Sequence, residues 1–136
     1  MIIPLELFGN DVTFHHLGIA VESIAKVDPS LDITAEPRQG VSVSFVYLNG
    51  ILVELIEPAG DASPVQQSIE NGIKVVHLCF AVKDLEKAME TARSSGFFPI
   101  KKPVPSAYFG DKLIAWIYSS DFGLVELLED PDWSQS

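Results

Sequence analysis

Two histidines and two glutamates, His16, Glu54, His77 and Glu126, stand at matching places in two similar stretches of this chain. Imidazole and carboxylate together form a donor set suited to one divalent cation. Glu54 lies within ILVELIE and Glu126 within GLVELLE, each a single charge inside an apolar strand. A buried carboxylate is expensive unless it is paired or coordinates a metal. Four such donors brought together by a pseudo-twofold axis would resolve that cost around one ion of Mn, Co, Ni, Zn or Fe(II), with open positions left for water or substrate. Taken singly, a histidine or strand glutamate is more often a surface or satisfied residue, so the weight rests on agreement between the two copies. His15, Glu57 and Glu129 fall on the opposite strand faces and read as structural or solvent-facing.

The copies position these residues. HLGIAVESIAKV from His16 returns as HLCFAVKDLEKA from His77, and GILVELIEP from Gly50 returns as GLVELLEDP from Gly123. Between them FVYL from Phe45 echoes WIYS from Trp116. This order predicts a single domain, 1–136, of two βαβββ modules, 14–58 and 74–130, joined by a helix at 63–72. Strands are expected at Phe14–Val21, Leu31–Ala35, Val41–Leu48 and Ile51–Glu57, the last two joined by an Asn49-Gly50 hairpin. A helical turn is expected at Glu22–Val27. In the second copy we expect strands at Lys74–Val82, Phe97–Ile100, Leu113–Tyr118 and Leu124–Glu129. A helix at Leu85–Ser95 is expected to be capped by Asp84 and stopped at Gly96. Ser63-Pro64 reads as the N-cap and first residue of the connecting helix. His16 to Glu54 spans 38 positions and His77 to Glu126 spans 49, so the first module is shortened by about one helix. The first strands carry their large aliphatic side chains on one face. His16, Gly18 and Ala20, like His77, Cys79 and Ala81, lie on the other, where small residues leave room.

Composition excludes other classes. The chain has 47% apolar residues, 19 acidic against 9 basic side chains and a net charge of −10, which repels nucleic acid. A chain of this size needs no structural metal or disulfide, and Cys79 is the single cysteine. That points to a reducing compartment. The start shows no signal-peptide pattern and the apolar stretches are too short for a bilayer. The expected location is cytoplasmic, with no membrane partner.

The motifs HLGIAV, VELIEP, HLCFAV and LVELLE in paired βαβββ modules resemble the vicinal oxygen chelate superfamily of glyoxalases, bleomycin resistance proteins and dioxygenases. QGVSVSFVYLNGILVELIEPAGDASPVQQSI from Gln39 and HLCFAVKDLEKAME from His77 are most similar to its methylmalonyl-CoA epimerase branch. The resemblance implies an α+β fold, a half-open eight-stranded barrel with a metal at its centre held by His16, Glu54, His77 and Glu126. It also implies proton abstraction next to a carbonyl with a metal-stabilised enolate, Glu126 serving as ligand and proton-transfer base, and a homodimer. Epimerases place a second glutamate just ahead of the third strand; here that position is Arg38, which does not act as a base at neutral pH but suits a carboxylate or phosphate. The loop PVPSAYFGDK, 103–112, carries bulky Tyr108 and Phe109 where small and polar residues are usual in epimerases. Arg38, Ser44, Tyr108 and Lys112 are the candidate substrate contacts. Lys101, Lys102 and Lys112 could meet the phosphates of a CoA thioester or stand solvated at strand ends. Tyr47, Tyr118 and Trp116 fit core packing as well as ligand contact.

Three functions fit these residues. The first is a metal-dependent isomerase or lyase of the epimerase and glyoxalase type, acting on a small acyl thioester or hydroxycarbonyl compound. The second is a non-haem Fe(II) dioxygenase using His16, His77 and Glu126 as a two-histidine, one-carboxylate site. The third is a non-catalytic module that binds an antibiotic or other small molecule.

Overall fold

The computed structural model describes residues 1–60 and 63–134. It is α+β, as expected, with nine strands and three α-helices among the described residues. In order these are β1 (Val12–Ala20), α1 (Ile24–Val27), β2 (Thr34–Glu36), β3 (Val41–Leu48), β4 (Ile51–Pro58), α2 (Pro64–Glu70), β5 (Val75–Val82), α3 (Leu85–Ser94), β6 (Phe98–Pro99), β7 (Val104–Ser106), β8 (Lys112–Ser119) and β9 (Gly123–Glu129). The chain forms two compact units, His16–Leu78 and the remainder, so that β1 and β5 each give residues to both.

In the unit His16–Leu78 the strand order is β2-β3-β4-β1-β5. Asn49 and Gly50, both at positive φ, close the β3–β4 hairpin as expected. That turn sets a register in which Phe45 faces Glu54 and Ser44 faces Leu55. β1 runs parallel to β4 with Gly18 opposite Glu54. One sheet face packs Leu17, Ile19, Val53 and Leu55 against Ile24 of α1. On the other face Ala20, Val43 and Ile56 pack under Val65 and Ile69 of α2. The described part of the connecting helix, Pro64–Glu70, ends at Asn71, and Ser63 holds its N-cap position without a side-chain capping bond.

In the other unit the order is β5-β9-β8-β6, with β7 on β8. Leu85, Ala88, Met89 and Ala92 of α3 recur at helical spacing and pack on Ala115, Ile117, Val125 and Leu127. The strand β7 is a correction to the sequence reading, which expected only loop over 103–112; three residues, with prolines at 103 and 105, are too few to show an alternation and read as turn. The second strand of the first module is also shorter than expected, since Leu31 instead joins the core under α1.

The duplication extends to how each helix is held. Ser23 and Asp84 accept from the N–H groups of Lys26 and Lys87, three residues on. Glu57 and Glu129, at equivalent strand ends, accept from the first helical N–H groups, of Ile24 at 2.7 Å and Leu85 at 2.8 Å. A carboxylate at a helix N-terminus satisfies an orphan donor and complements the dipole. The two glutamates read as structural have this specific task.

Candidate metal centre

Strand geometry delivers His16, Glu54 and His77 to one face of the unit His16–Leu78. His16 and Gly18 share a face of β1, and the parallel register puts Gly18 beside Glu54. His77 arrives on β5, its ring lying over Gly18. A Cβ built on Gly18 would meet the His77 imidazole at 2.2 Å. The small residues of this face thus make room, in the first place, for a neighbouring histidine.

The donor atoms form a near-equilateral triangle. His16 Nε2 and His77 Nε2 are 3.2 Å apart, and Glu54 Oε1 is 3.4 Å from each. The side chains are 0%, 2% and 13% exposed for His16, His77 and Glu54. Phe45, across the hairpin from Glu54, meets the His16 ring edge-on with centroids 5.0 Å apart. Two imidazole nitrogens and a carboxylate oxygen converging in a dry place need a shared proton or cation. At metal–donor distances of about 2.1 Å, donors on a common first-row ion stand roughly 3.0–3.4 Å apart, so the triangle has the right size for one. The donor set therefore fits a divalent cation.

Glu126 belongs to the other unit. It lies on β9 opposite Trp116 and is 3% exposed. Its repeat equivalence to Glu54 includes the strand partner, since an aromatic residue stands across from each glutamate.

The remaining candidates are divided between the units, Arg38 and Ser44 in one, Tyr108 and Lys112 in the other. Arg38 lies exposed on a 3-10 turn, Pro37–Gln39, that follows buried Glu36. Ser44 shares its face with Leu55 and so lies on the side of the sheet away from Glu54. Lys112 is ion-paired with Asp130 at 3.2 Å. Tyr108 packs edge-on against Phe109, which in turn meets the buried ring of His15. His15 is stacked on Trp133 with centroids 3.9 Å apart, and Trp133 Nε1 donates to the Phe14 carbonyl. Sequence reasoning missed Phe45 and Trp133. Counting back from the Asn49-Gly50 turn would have found Phe45, whereas nothing local marks Trp133.

A family model for the Glyoxalase/Bleomycin resistance protein/Dioxygenase superfamily matches residues 15–116. Among curated proteins the chain is 29% identical, over 96 residues, to an ethylmalonyl-CoA/methylmalonyl-CoA epimerase of Cereibacter sphaeroides, covering 68% of this chain and 72% of that one. It is 28% identical to a mitochondrial methylmalonyl-CoA epimerase of Dictyostelium discoideum, covering 68% and 57%. Among solved structures, a hypothetical protein from Bacillus halodurans C-125 superposes with a TM-score of 0.75 at 26% identity, covering 93% of this chain and 100% of that one. A methylmalonyl-CoA epimerase in complex with methylmalonyl-CoA and NH4+ superposes at 0.70 with 20% identity, covering 88% and 94%, a likeness of fold. No described helix is long and apolar enough to cross a membrane.

Proposed function

Because this chain belongs to the Glyoxalase/Bleomycin resistance protein/Dioxygenase superfamily, we propose that it is a metal-dependent isomerase or lyase of the epimerase and glyoxalase type. It takes a proton from the carbon next to the carbonyl of a small acyl thioester or hydroxycarbonyl compound. The observation that carries this reading is the buried triangle of His16, Glu54 and His77. Methylmalonyl-CoA, the compound bound by a structural relative, is the first substrate to test.

His16, Glu54 and His77 would hold the ion, with Glu126, the repeat partner of Glu54, as the proposed fourth donor. When bound, a divalent cation supplies a positive charge where negative charge develops on the substrate carbonyl oxygen. The chain's own part is to keep the donors in place: Phe45 packs on His16, and the absent side chain at Gly18 admits the ring of His77. The Glu126 carboxylate takes the α-proton, and the enolate is then reprotonated at the neighbouring carbon by Glu126 or at the same carbon from the opposite face by solvent, since return to the face it left would restore the starting isomer. Arg38 stands where epimerases carry a second glutamate and, as a permanent cation, holds the substrate carboxylate or a phosphate instead. Tyr108 remains a proposed substrate contact; Ser44, on the far face, and Lys112, paired with Asp130, are dropped from that set. The working enzyme is proposed to be a cytoplasmic homodimer.

The test has two parts. Elemental analysis is expected to find one divalent ion per chain, lost in His16→Ala and His77→Ala. In deuterated solvent, methylmalonyl-CoA is expected to gain deuterium at the α-carbon. No ion under any loading condition, or no exchange across a panel of acyl-CoA and hydroxycarbonyl compounds, overturns the proposal.

A second reading follows from the triangle holding two histidines and one carboxylate, the donor set of non-haem Fe(II) oxygenases. Fe(II)-dependent consumption of dioxygen without α-proton exchange would favour it.

A further inference from the structure

The sheet face that carries Glu126 has an aromatic side with no task so far. Across β8 and β9 Trp116 faces Glu126 and Tyr118 faces Leu124, so alternation puts all four side chains on one face. β6 extends that face, since Phe98 pairs with Tyr118 and their ring centroids are 5.8 Å apart. The two ends of the face differ. Toward Leu128 it is closed, with Ile114 and Leu128 buried under Val104 and Phe109. Toward Leu124 it is open: Tyr118 is 39% and Phe98 54% exposed. Tyr118 is therefore not the core residue that its strand position would permit.

The repeat sharpens the contrast. Tyr47, the counterpart of Tyr118, is 73% exposed, and β2 pairs with β3 only as far as Val43. In the second module β6 reaches Tyr118 itself. The second module thus adds a strand-borne ring beside its tyrosine, on the same face as the glutamate assigned to proton transfer.

We propose that Tyr118, with Phe98 beside it, is the wall against which the substituent on the substrate's α-carbon packs, and that it sets the size of acyl group accepted. The inference rests on the role proposed for Glu126. Diagonal neighbours on adjacent antiparallel strands stand about 7–8 Å apart, within reach of aromatic side chains, which places the Tyr118 ring close enough to touch a substituent on a carbon held at Glu126. Paired aromatic rings present a large apolar surface of fixed geometry.

The experiment compares methylmalonyl-CoA with ethylmalonyl-CoA, which differ by one methylene at that substituent. In wild type, Tyr118→Phe, Tyr118→Ala and Phe98→Ala, deuterium exchange is measured as kcat and KM, with metal content as the fold control. Tyr118→Ala and Phe98→Ala are expected to shift the ratio of kcat/KM about tenfold toward the ethyl compound, the scale of discrimination by one methylene, while Tyr118→Phe keeps the wild-type ratio. A ratio within twofold of wild type in Tyr118→Ala overturns the inference. Should wild type exchange neither compound, the proposed function fails, and the wall is then judged by equilibrium binding of both thioesters. A changed preference in Tyr118→Ala supports it; an unchanged preference, or no binding to wild type, overturns it.

Discussion

The imidazole of His77 occupies the space over Gly18 that any larger residue would claim: a Cβ there would come within 2.2 Å of the ring's Cε1. A glycine whose backbone is ordinary strand is thus required for the position of a proposed ligand three strands' worth of sequence away. Gly18→Ala should force the His77 ring out of the triangle. We expect affinity for a divalent ion to fall at least tenfold, with a stability loss of about 1–3 kcal/mol from overpacking. Metal titration calorimetry and denaturant unfolding check the two effects, and unchanged metal affinity would show that the ring relaxes freely.

Metal addition should raise the stability of the folded state. Saturation at 100 times Kd contributes about 2.7 kcal/mol if the unfolded chain does not bind. The rise should disappear in His16→Ala and His77→Ala and shrink in Glu54→Gln, since Glu54 Oε1 is 3.4 Å from both ring nitrogens. Thermal melts with and without added ion, chelator-treated beforehand, supply the measurement. A full rise in Glu54→Gln would remove Glu54 from the ligand set.

Glu57 and Glu129 should matter for folding alone. Each supplies a carboxylate to the first N–H of a helix, and its replacement by glutamine should cost about 1 kcal/mol. Metal content should not change in either variant. Urea unfolding beside elemental analysis separates these roles, and loss of metal in Glu129→Gln would contradict them.

Trp133 should fasten the start of β1. Its stacking on His15 and its hydrogen bond to Phe14 would both vanish in Trp133→Ala, at a cost of about 2 kcal/mol. Trp133→Phe should recover the stacking part. Unfolding midpoints of the two variants decide this, and equal losses would show that the hydrogen bond dominates.

Lys112 should contribute little to stability. Its pair with Asp130 is half-exposed on the lysine side, so Lys112→Ala should change stability by no more than about 0.5 kcal/mol. Because Asp130 already offsets its charge, KM for methylmalonyl-CoA should change less than twofold. A larger, salt-sensitive increase would instead assign Lys112 to the CoA phosphates.

The duplication was legible because each copy repeats both its chemistry and its spacing: histidine two residues before the small side of a strand, glutamate in the middle of another. Alternation alone separated Glu54 from Glu57 and Glu126 from Glu129, and the Asn49-Gly50 turn determined the hairpin register. Other features depended on contacts between distant segments, which no local pattern encodes. Gly18 looked like spare room until β5 laid His77 over it. Ser44 reads from the sequence as a substrate contact, but register puts it beside Leu55, and Lys112 reads as a phosphate contact or a solvated lysine, but it pairs with Asp130. His15, set aside for facing away, is buried because a tryptophan near the C-terminal end folds back onto it. The sequence by itself determined which side chains share a strand face, since that follows from a period of two. Which faces are filled, by what, and which aromatic rings stay open beside Glu126 was decided only by tertiary packing, where steric fit between remote residues chooses among placements that local preference leaves equal.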